Sequence, residues 1–186
     1  RGGLLFVPQR PYAVAGTLWE QLVYPGAYGE GNAEGAAERL LAAVGLSHLL
    51  GKQGLHAVTD WRANLGLGGL QQLAFARLLF HQPLFALMDE ATSAMDLVME
   101  AKLLGLCAEV GVTAISVCHR PSAVGLHQRA LRYTAPSVGA DRDPGSWRLQ
   151  AVAPEDRLSA ASLAKEAERL QRHASITGHV AEQEAR

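Results

Sequence analysis

The sequence predicts an α/β fold built on a parallel sheet, and three observations carry that prediction. Short apolar runs of strand length alternate with segments whose apolar residues recur at helical spacing. Leu84-Phe85-Ala86-Leu87-Met88, a helical repeat over 97–110 and Val112-Thr113-Ala114-Ile115-Ser116-Val117 follow one another as strand, helix and strand, which is the order of a parallel crossover unit. The strand-like runs lead into residues of chemical interest, namely Gln9, the pair Asp89-Glu90, and His119. Ligands of open parallel sheets bind outside the carboxyl ends of the strands, so these residues are the first candidates for a site.

Taken in order, Leu4-Leu5-Phe6-Val7 closed by Pro8 reads as a buried strand feeding a loop at Gln9-Arg10-Pro11-Tyr12. Thr17-Leu18-Trp19-Glu20 is a capping box that opens a short helix ending before Tyr24-Pro25-Gly26. The glycine-rich stretch 26–31 is expected to be a surface connection, after which Ala37, Leu40, Leu41 and Val44 mark a helix with Asn32 as N-cap and Gly45 as stop. Leu46, Leu49 and Leu50 continue its packing.

A second long helix is expected over 70–81, behind the glycine-rich Gly66-Leu67-Gly68-Gly69, whose backbone N–H groups can receive an anion. The continuous apolar run 84–88 is the pattern of a strand buried on both faces, with two carboxylates at its end. Residues 129–133 are a further strand candidate, 134–146 a turn, and Trp147-Arg148-Leu149 an edge strand. Pro154 then introduces a charged helix with Leu158, Leu163, Ala167 and Leu170 on one side.

The chain has 186 residues, 48% of them hydrophobic and 19% charged, which is enough for one core and a small second element. Lys and Arg number 17 against 18 for Asp and Glu, a net charge of -1, which supplies no field strong enough to argue for nucleic acid by itself. Cys107 and Cys118 have neither metal nor redox spacing and read as small hydrophobes. The apolar stretch 73–88 is broken by Arg77, His81, Gln82 and Pro83, so no run reaches the roughly 18 to 20 residues of a bilayer span. The chain opens on Arg1-Gly2-Gly3 with no Met and no signal-like segment, and the expectation is a piece whose N-terminal part is missing.

Adjacent carboxylates at the end of a buried strand repel each other and resist desolvation unless they hold a cation or do acid-base work. Alone, Asp89-Glu90 also reads as a solvated strand-end pair, Gln9 as a turn residue and His119 as a structural histidine. The longer run Leu87-Met88-Asp89-Glu90-Ala91-Thr92-Ser93-Ala94-Met95-Asp96 resembles the Walker B motif and D-loop of ATP-binding cassette (ABC) ATPases. In the same family order, Val7-Pro8-Gln9-Arg10-Pro11-Tyr12 resembles the Q-loop, 65–77 the signature region with its helix, and Ser116-Val117-Cys118-His119-Arg120 the switch histidine. Gly16-Thr17-Leu18, Tyr24-Pro25, Asp60-Trp61 and His119-Arg120-Pro121-Ser122 further resemble subfamily D. That group comprises peroxisomal acyl-CoA transporters, a lysosomal cobalamin transporter, and related plastid and bacterial proteins.

The resemblance covers about residues 4–133 and implies the C-terminal portion of a P-loop NTPase-like ABC ATPase domain, a helical subdomain plus a parallel-sheet core. The implied division is a partial nucleotide-binding domain over 1–150 and an extra charged helical tail over 151–186. It implies ATP and Mg2+ as cofactors, with Asp89 and Gln9 toward the metal. Glu90 is implied as the general base, His119 as the γ-phosphate contact and Gln9 as a sensor of magnesium and water that touches a transmembrane coupling helix. Gly66, Leu67, Gly68 and Gly69 are implied to approach nucleotide, and Asp96 to mark a dimer interface. The implied partners are a second nucleotide-binding domain and the transmembrane domain of the same parent, with no nucleic acid. The implied location is the cytosolic face of a membrane, peroxisomal first, with lysosomal, plastid and bacterial inner membranes as the others.

Two departures qualify the activity. The family's signature is Leu-Ser-Gly-Gly-Glu-Gln-Gln-Arg or a close variant, whereas this chain has Leu65-Gly66-Leu67-Gly68-Gly69-Leu70-Gln71-Gln72, so Gly66 replaces the serine and Gly69 the acidic residue. One hydrogen bond to a charged phosphate, worth roughly 1.5 to 3 kcal/mol, is thereby absent. No Gly-x-x-x-x-Gly-Lys-Ser/Thr phosphate loop occurs in the chain; in the family it lies upstream of the Q-loop, and truncation is the expected reason. The reading is therefore the motor domain of a membrane transporter, with the fragment itself inactive. The alternative is a degenerate, non-hydrolytic cassette that dimerises or regulates.

Overall fold

The computed structural model describes residues 3–26, 34–51, 54–135, 145–159, 161–163 and 165. They group into two compact units, Arg1–His119 and Arg120–Arg186. This is a grouping by packing; the division at 150 and 151 rests on resemblance and falls inside the second unit.

In the first unit, strands β1 (Leu4–Val7), β2 (Phe85–Asp89) and β3 (Thr113–Val117) form a parallel sheet in the order β1-β2-β3. Leu4 pairs with Phe85 and Val7 with Met88, while Asp89 pairs with Val117, so all three strands finish at one edge. Helix α4 (Leu97–Glu109) makes the crossover from β2 to β3. Asp96 caps it by accepting the Met99 N–H at 2.7 Å, which satisfies one of the donors that a helix start leaves orphaned.

Helix α1 (Leu18–Val23) begins at the capping box expected of its sequence. Thr17 Oγ1 accepts the Glu20 N–H at 3.2 Å, and Glu20 Oε2 accepts the Thr17 N–H at 2.6 Å. Its apolar side, Leu18, Trp19 and Leu22, is buried. Helix α2 (Glu34–Ala43) buries Ala37 and Leu41, and the chain runs on through buried Val44 and Leu46 into a single 3-10 turn, Ser47–Leu49. The Asn32 cap and the connection over 27–31 lie outside the described residues.

The long helix differs from the expectation. Helix α3 (Trp61–His81) starts nine residues before 70, with Asp60 as N-cap accepting the Ala63 N–H at 3.0 Å. It is broken once, at Gly66 (φ 57, ψ -179), and resumes at once. The glycine cluster is thus not a loop ahead of the helix: only Gly66 leaves helical geometry, and Leu67, Gly68 and Gly69 already form the first turn of the second part. Glycine's weak helix propensity suggested a later start, and tertiary packing overrides it. That second part buries Leu70, Leu73, Phe75, Leu78 and Leu79, each side chain worth about 1.5 to 3 kcal/mol when removed from water.

The strand β2 is not buried on both faces as its apolar run suggested. Ala86 and Met88 are buried, but Phe85 is 45% exposed. Its neighbours on the same face share this exposure: Leu4, Phe6, Ile115 and Val117 are all accessible to water, so among the described residues only one face of the sheet is covered. No helix among them is long and apolar enough to cross a membrane.

The second unit contains β4 (Arg129–Thr134) and β5 (Ser146–Ala151), an antiparallel pair in which Leu131 faces Leu149 and Tyr133 faces Trp147. The Tyr133 and Trp147 rings lie 4.8 Å apart, a cross-strand aromatic contact. Most of the expected turn, 136–144, lies outside the described residues. Pro154 opens only one 3-10 turn, Pro154–Asp156, because Arg157 is already extended (φ -77, ψ 132). Leu158 therefore precedes the helical residues 161–163, which include Leu163, and Ala167 and Leu170 lie outside the described residues.

Candidate functional site

The β2 strand delivers Asp89 and then Glu90 to the edge where β1 and β3 also end. Glu90 sits at φ 46, a left-handed conformation that is uncommon for a residue with a side chain and that persists only where surroundings hold it. Its N–H donates to the Val117 carbonyl at 2.9 Å, and its own carbonyl accepts the Ser93 N–H at 3.0 Å. The turn thus aims the carboxylate off the strand end.

Two residues meet that carboxylate. Gln9, just beyond β1, donates its Nε2 hydrogen to Glu90 Oε2 at 2.6 Å, and His119, just beyond β3, places Nε2 3.2 Å from Glu90 Oε1. The three strand ends therefore converge on one carboxyl group. The His119 side chain is 84% exposed, so this contact adds little to stability and leaves the imidazole free to meet a ligand.

The 67–81 part of α3 supplies two buried polar arms. Gln71, fully buried, donates from Nε2 to the Gln9 carbonyl at 2.9 Å and to Ser93 Oγ at 3.0 Å, with a longer contact to the Glu90 carbonyl at 3.4 Å. Its Oε1 accepts the Ala94 N–H at 3.0 Å. Arg77 donates to the carbonyls of Tyr12 and Gln21 and, at 3.2 Å, to Gln21 Oε1. Gln21 in turn donates to the Val14 carbonyl at 2.8 Å and accepts the Val14 N–H at 2.9 Å. Burial pushes the Arg77 guanidinium down to about 10, opposed by the Tyr24 ring beneath it.

The other predicted positions fall around this cluster. Gly68 packs so closely on the 93–96 turn that a Cβ there would stand 3.2 Å from the Ala94 carbonyl. Asp96 is engaged as the α4 cap. Among the described residues no hydrogen bond or ion pair joins Gly66, Leu67 or Gly69 to the Glu90 cluster. Asp89 is exposed beside it at the end of β2. The Gly66 break creates a fresh helix start whose N–H groups are available to an anion.

The donors suit a small hard dication. With Nε2 of Gln9 turned to Glu90, its Oε1 is the atom left for a cation, and Asp89 adds a carboxylate. Mg2+ commonly takes one or two carboxylates and completes its shell with phosphate and water. Among the described residues no group of three or more His, Cys, Asp or Glu could hold a metal by itself.

Gln71 and Arg77 were not singled out as site residues from the sequence. A signal was present: Gln71 stands three and seven residues before Ala74 and Leu78, and Arg77 seven after Leu70, so both are polar residues on the apolar stripe. Burial pushes the Cys107 thiol up to about 12, in keeping with its reading as an inert core residue.

Comparison with known proteins gives the kinship. No protein-family model matches the chain. An uncharacterised ABC transporter ATP-binding protein of Synechocystis is 39% identical over 150 residues, 80% of this chain and 21% of its own. The chloroplastic ABC transporter D family member 2 of Arabidopsis thaliana is 36% identical over 185 residues, 85% of this chain and 26% of its own. Among solved structures, a bacterial Atm1-family ABC exporter with ATP bound matches with a TM-score of 0.58 and 26% identity, covering 92% of this chain and 28% of that one. The chain thus spans about a fifth to a quarter of the length of the relatives it matches.

Proposed function

Since the chain belongs to the nucleotide-binding domains of subfamily D-like ABC transporters, we propose that its parent is an ATP-driven membrane transporter and that this segment carries the hydrolytic edge of its motor. The observation that carries the reading is the Glu90 carboxylate, presented from a left-handed turn and met by Gln9 and His119 from the two flanking strands.

In this reading Glu90 accepts a proton from the attacking water. Gln9 keeps one carboxylate oxygen oriented and offers its Oε1 toward the cation, and His119 moves from Glu90 Oε1 to the γ-phosphate. Asp89 and Gln9 would hold Mg2+, which when bound would neutralise phosphate charge. Phosphoryl transfer needs little beyond such positioning and charge stabilisation. Leu67, Gly68 and Gly69 present backbone N–H groups to nucleotide, and Asp96 lies at the contact with a second nucleotide-binding domain. The transmembrane domain of the same parent is the other partner, reached through the segment after Gln9. The cargo is acyl-CoA, a related hydrophobic molecule or cobalamin, and the membrane is peroxisomal in the first instance, otherwise lysosomal, plastid or bacterial. The 186-residue chain by itself lacks a phosphate loop and neither binds ATP tightly nor hydrolyses it.

The second reading is a degenerate cassette that dimerises or regulates without hydrolysis, and Gly66 favours it, since no hydroxyl stands at that place. ATP turnover and nucleotide affinity of the full-length parent, reconstituted in membrane, separate the two. Hydrolysis that falls at least about 100-fold in Glu90→Gln with affinity retained is expected for the motor. Binding without any turnover in the unaltered parent would establish the degenerate cassette instead.

A further inference from the structure

The side-chain contact between Gln9 and Glu90 is duplicated beneath the surface. The carbonyls of the same two residues both face Nε2 of Gln71, at 2.9 and 3.4 Å, while Oε1 of Gln71 holds the Ala94 N–H at 3.0 Å. A buried amide costs free energy unless its atoms are matched, and an apolar side chain of the same volume would avoid that cost at this position on the apolar stripe of α3. What the amide adds is simultaneous donation and acceptance, which no apolar residue provides. It joins segments 62, 19 and 22 to 23 positions away in sequence, all of them backbone around the candidate base.

We infer that Gln71 is a positioning residue for hydrolysis. It clamps the backbone after β1, the left-handed turn at Glu90 and the Ser93–Ala94 turn to α3, so that the Gln9 amide and the Glu90 carboxylate stay in register. The inference rests on the hydrolytic reading above and deepens it. Glu90 holds a conformation that requires support, and Gln71 is a side chain that touches both its carbonyl and the turn that follows.

The test uses the full-length parent in membrane, with Gln71→Met, Gln71→Glu and Glu90→Gln compared. Gln71→Met keeps the volume and removes the polar atoms; kcat for ATP is expected to fall about tenfold or more while the nucleotide Kd changes less than about twofold. Gln71→Glu adds a readout that misfolding would not move. When protonated, the introduced carboxyl donates one hydrogen where the amide donates two, and still accepts; when ionised, it only accepts, and it faces the Gln9 and Glu90 carbonyls. The ratio of its kcat to that of the unaltered parent therefore rises as pH falls from 8.5 to about 6, because burial raises the carboxyl's pKa. If Gln71→Met fails to fold, kcat and nucleotide Kd of Gln71→Glu at one pH decide in its place, with the same loss of kcat and retained Kd expected. A Gln71→Met kcat within about twofold of the parent, or a flat Gln71→Glu ratio, overturns the inference when Glu90→Gln has lost turnover. Turnover that survives Glu90→Gln overturns the hydrolytic reading itself.

Discussion

Gln9 and Glu90 lie 81 positions apart, yet the amide of one stands 2.6 Å from the carboxylate of the other at the shared edge of a parallel sheet. The contact exists because β1 and β2 are neighbours in register, Val7 beside Met88, so the residues that follow them emerge side by side. His119 arrives at the same carboxylate from β3 by the same logic.

Gln9→Ala and His119→Ala act on one group, and their effects on turnover are expected to be strongly non-additive. Each alone lowers kcat about 10- to 100-fold in the parent, and the pair falls little further. Thermal melting of either single variant should stay within about 0.5 kcal/mol of the parent, since exposed polar pairs contribute little to stability. A steady-state double-mutant cycle with parallel melts checks both statements.

Gly66 separates space from conformation. A Cβ there meets nothing within 4 Å, but the backbone is at φ 57. Gly66→Ala and Gly66→Ser should therefore destabilise equally, by about 1 to 3 kcal/mol, the cost being that of the dihedral. Denaturant titration of both variants measures it, and a serine variant as stable as the parent would show that the segment adopts another φ without cost.

Gly68 and Gly105 form the opposite contrast. A Cβ at Gly68 presses on the Ala94 carbonyl at 3.2 Å, whereas at Gly105, inside α4, it meets nothing within 4 Å. Gly68→Ala is expected to destabilise by about 1 kcal/mol or more through the 93–96 turn. Gly105→Ala is expected to stabilise by about 0.5 to 1 kcal/mol through helix propensity. Equilibrium unfolding of the two variants gives both signs in one experiment.

The α1 capping box supplies a pH dependence. Hydrogen bonds from the Thr17 backbone and then its hydroxyl hold the Glu20 carboxyl below its ordinary value. A depressed carboxyl pKa stabilises the fold above the unfolded-state value near 4.5, and that contribution disappears as pH falls through the folded value. Thr17→Ala should destabilise at both acidic and neutral pH and only slightly more at neutral pH, since the Thr17 N–H that holds the ionised Glu20 carboxylate is backbone and survives the substitution. Melts at pH 7 and pH 3 check the sign.

The parallel crossover from β2 through α4 to β3 and the capping box at Thr17 were legible because each is written locally, in periodicity or in a four-residue pattern. The convergence of residues after three strands was legible from topology alone, since parallel neighbours end at one edge. The start of α3 was not, because Trp61 owes its place to a distant partner: its Nε1 donates to the Gly16 carbonyl at 2.8 Å, 45 positions away. The exposure of Phe85 was hidden for a related reason, as an apolar run does not say which of its faces another element covers. Gln71 stayed invisible because a helical stripe reports burial without naming the backbone atoms that a buried amide will meet.

Arg77 gives the segment after β1 a mechanical character. Two carbonyls, Tyr12 and Gln21, are fixed to one buried guanidinium, and Gln21 passes the hold on to Val14. Pulling Tyr12 away from α3 would break a charge-assisted bond worth about 1.5 to 3 kcal/mol, several times the thermal energy, and leave the buried guanidinium with Gln21 alone. A displacement applied at the surface near Tyr12 therefore works directly against a buried charge. The segment after β1 is thereby pinned to the part of α3 that follows the glycine break.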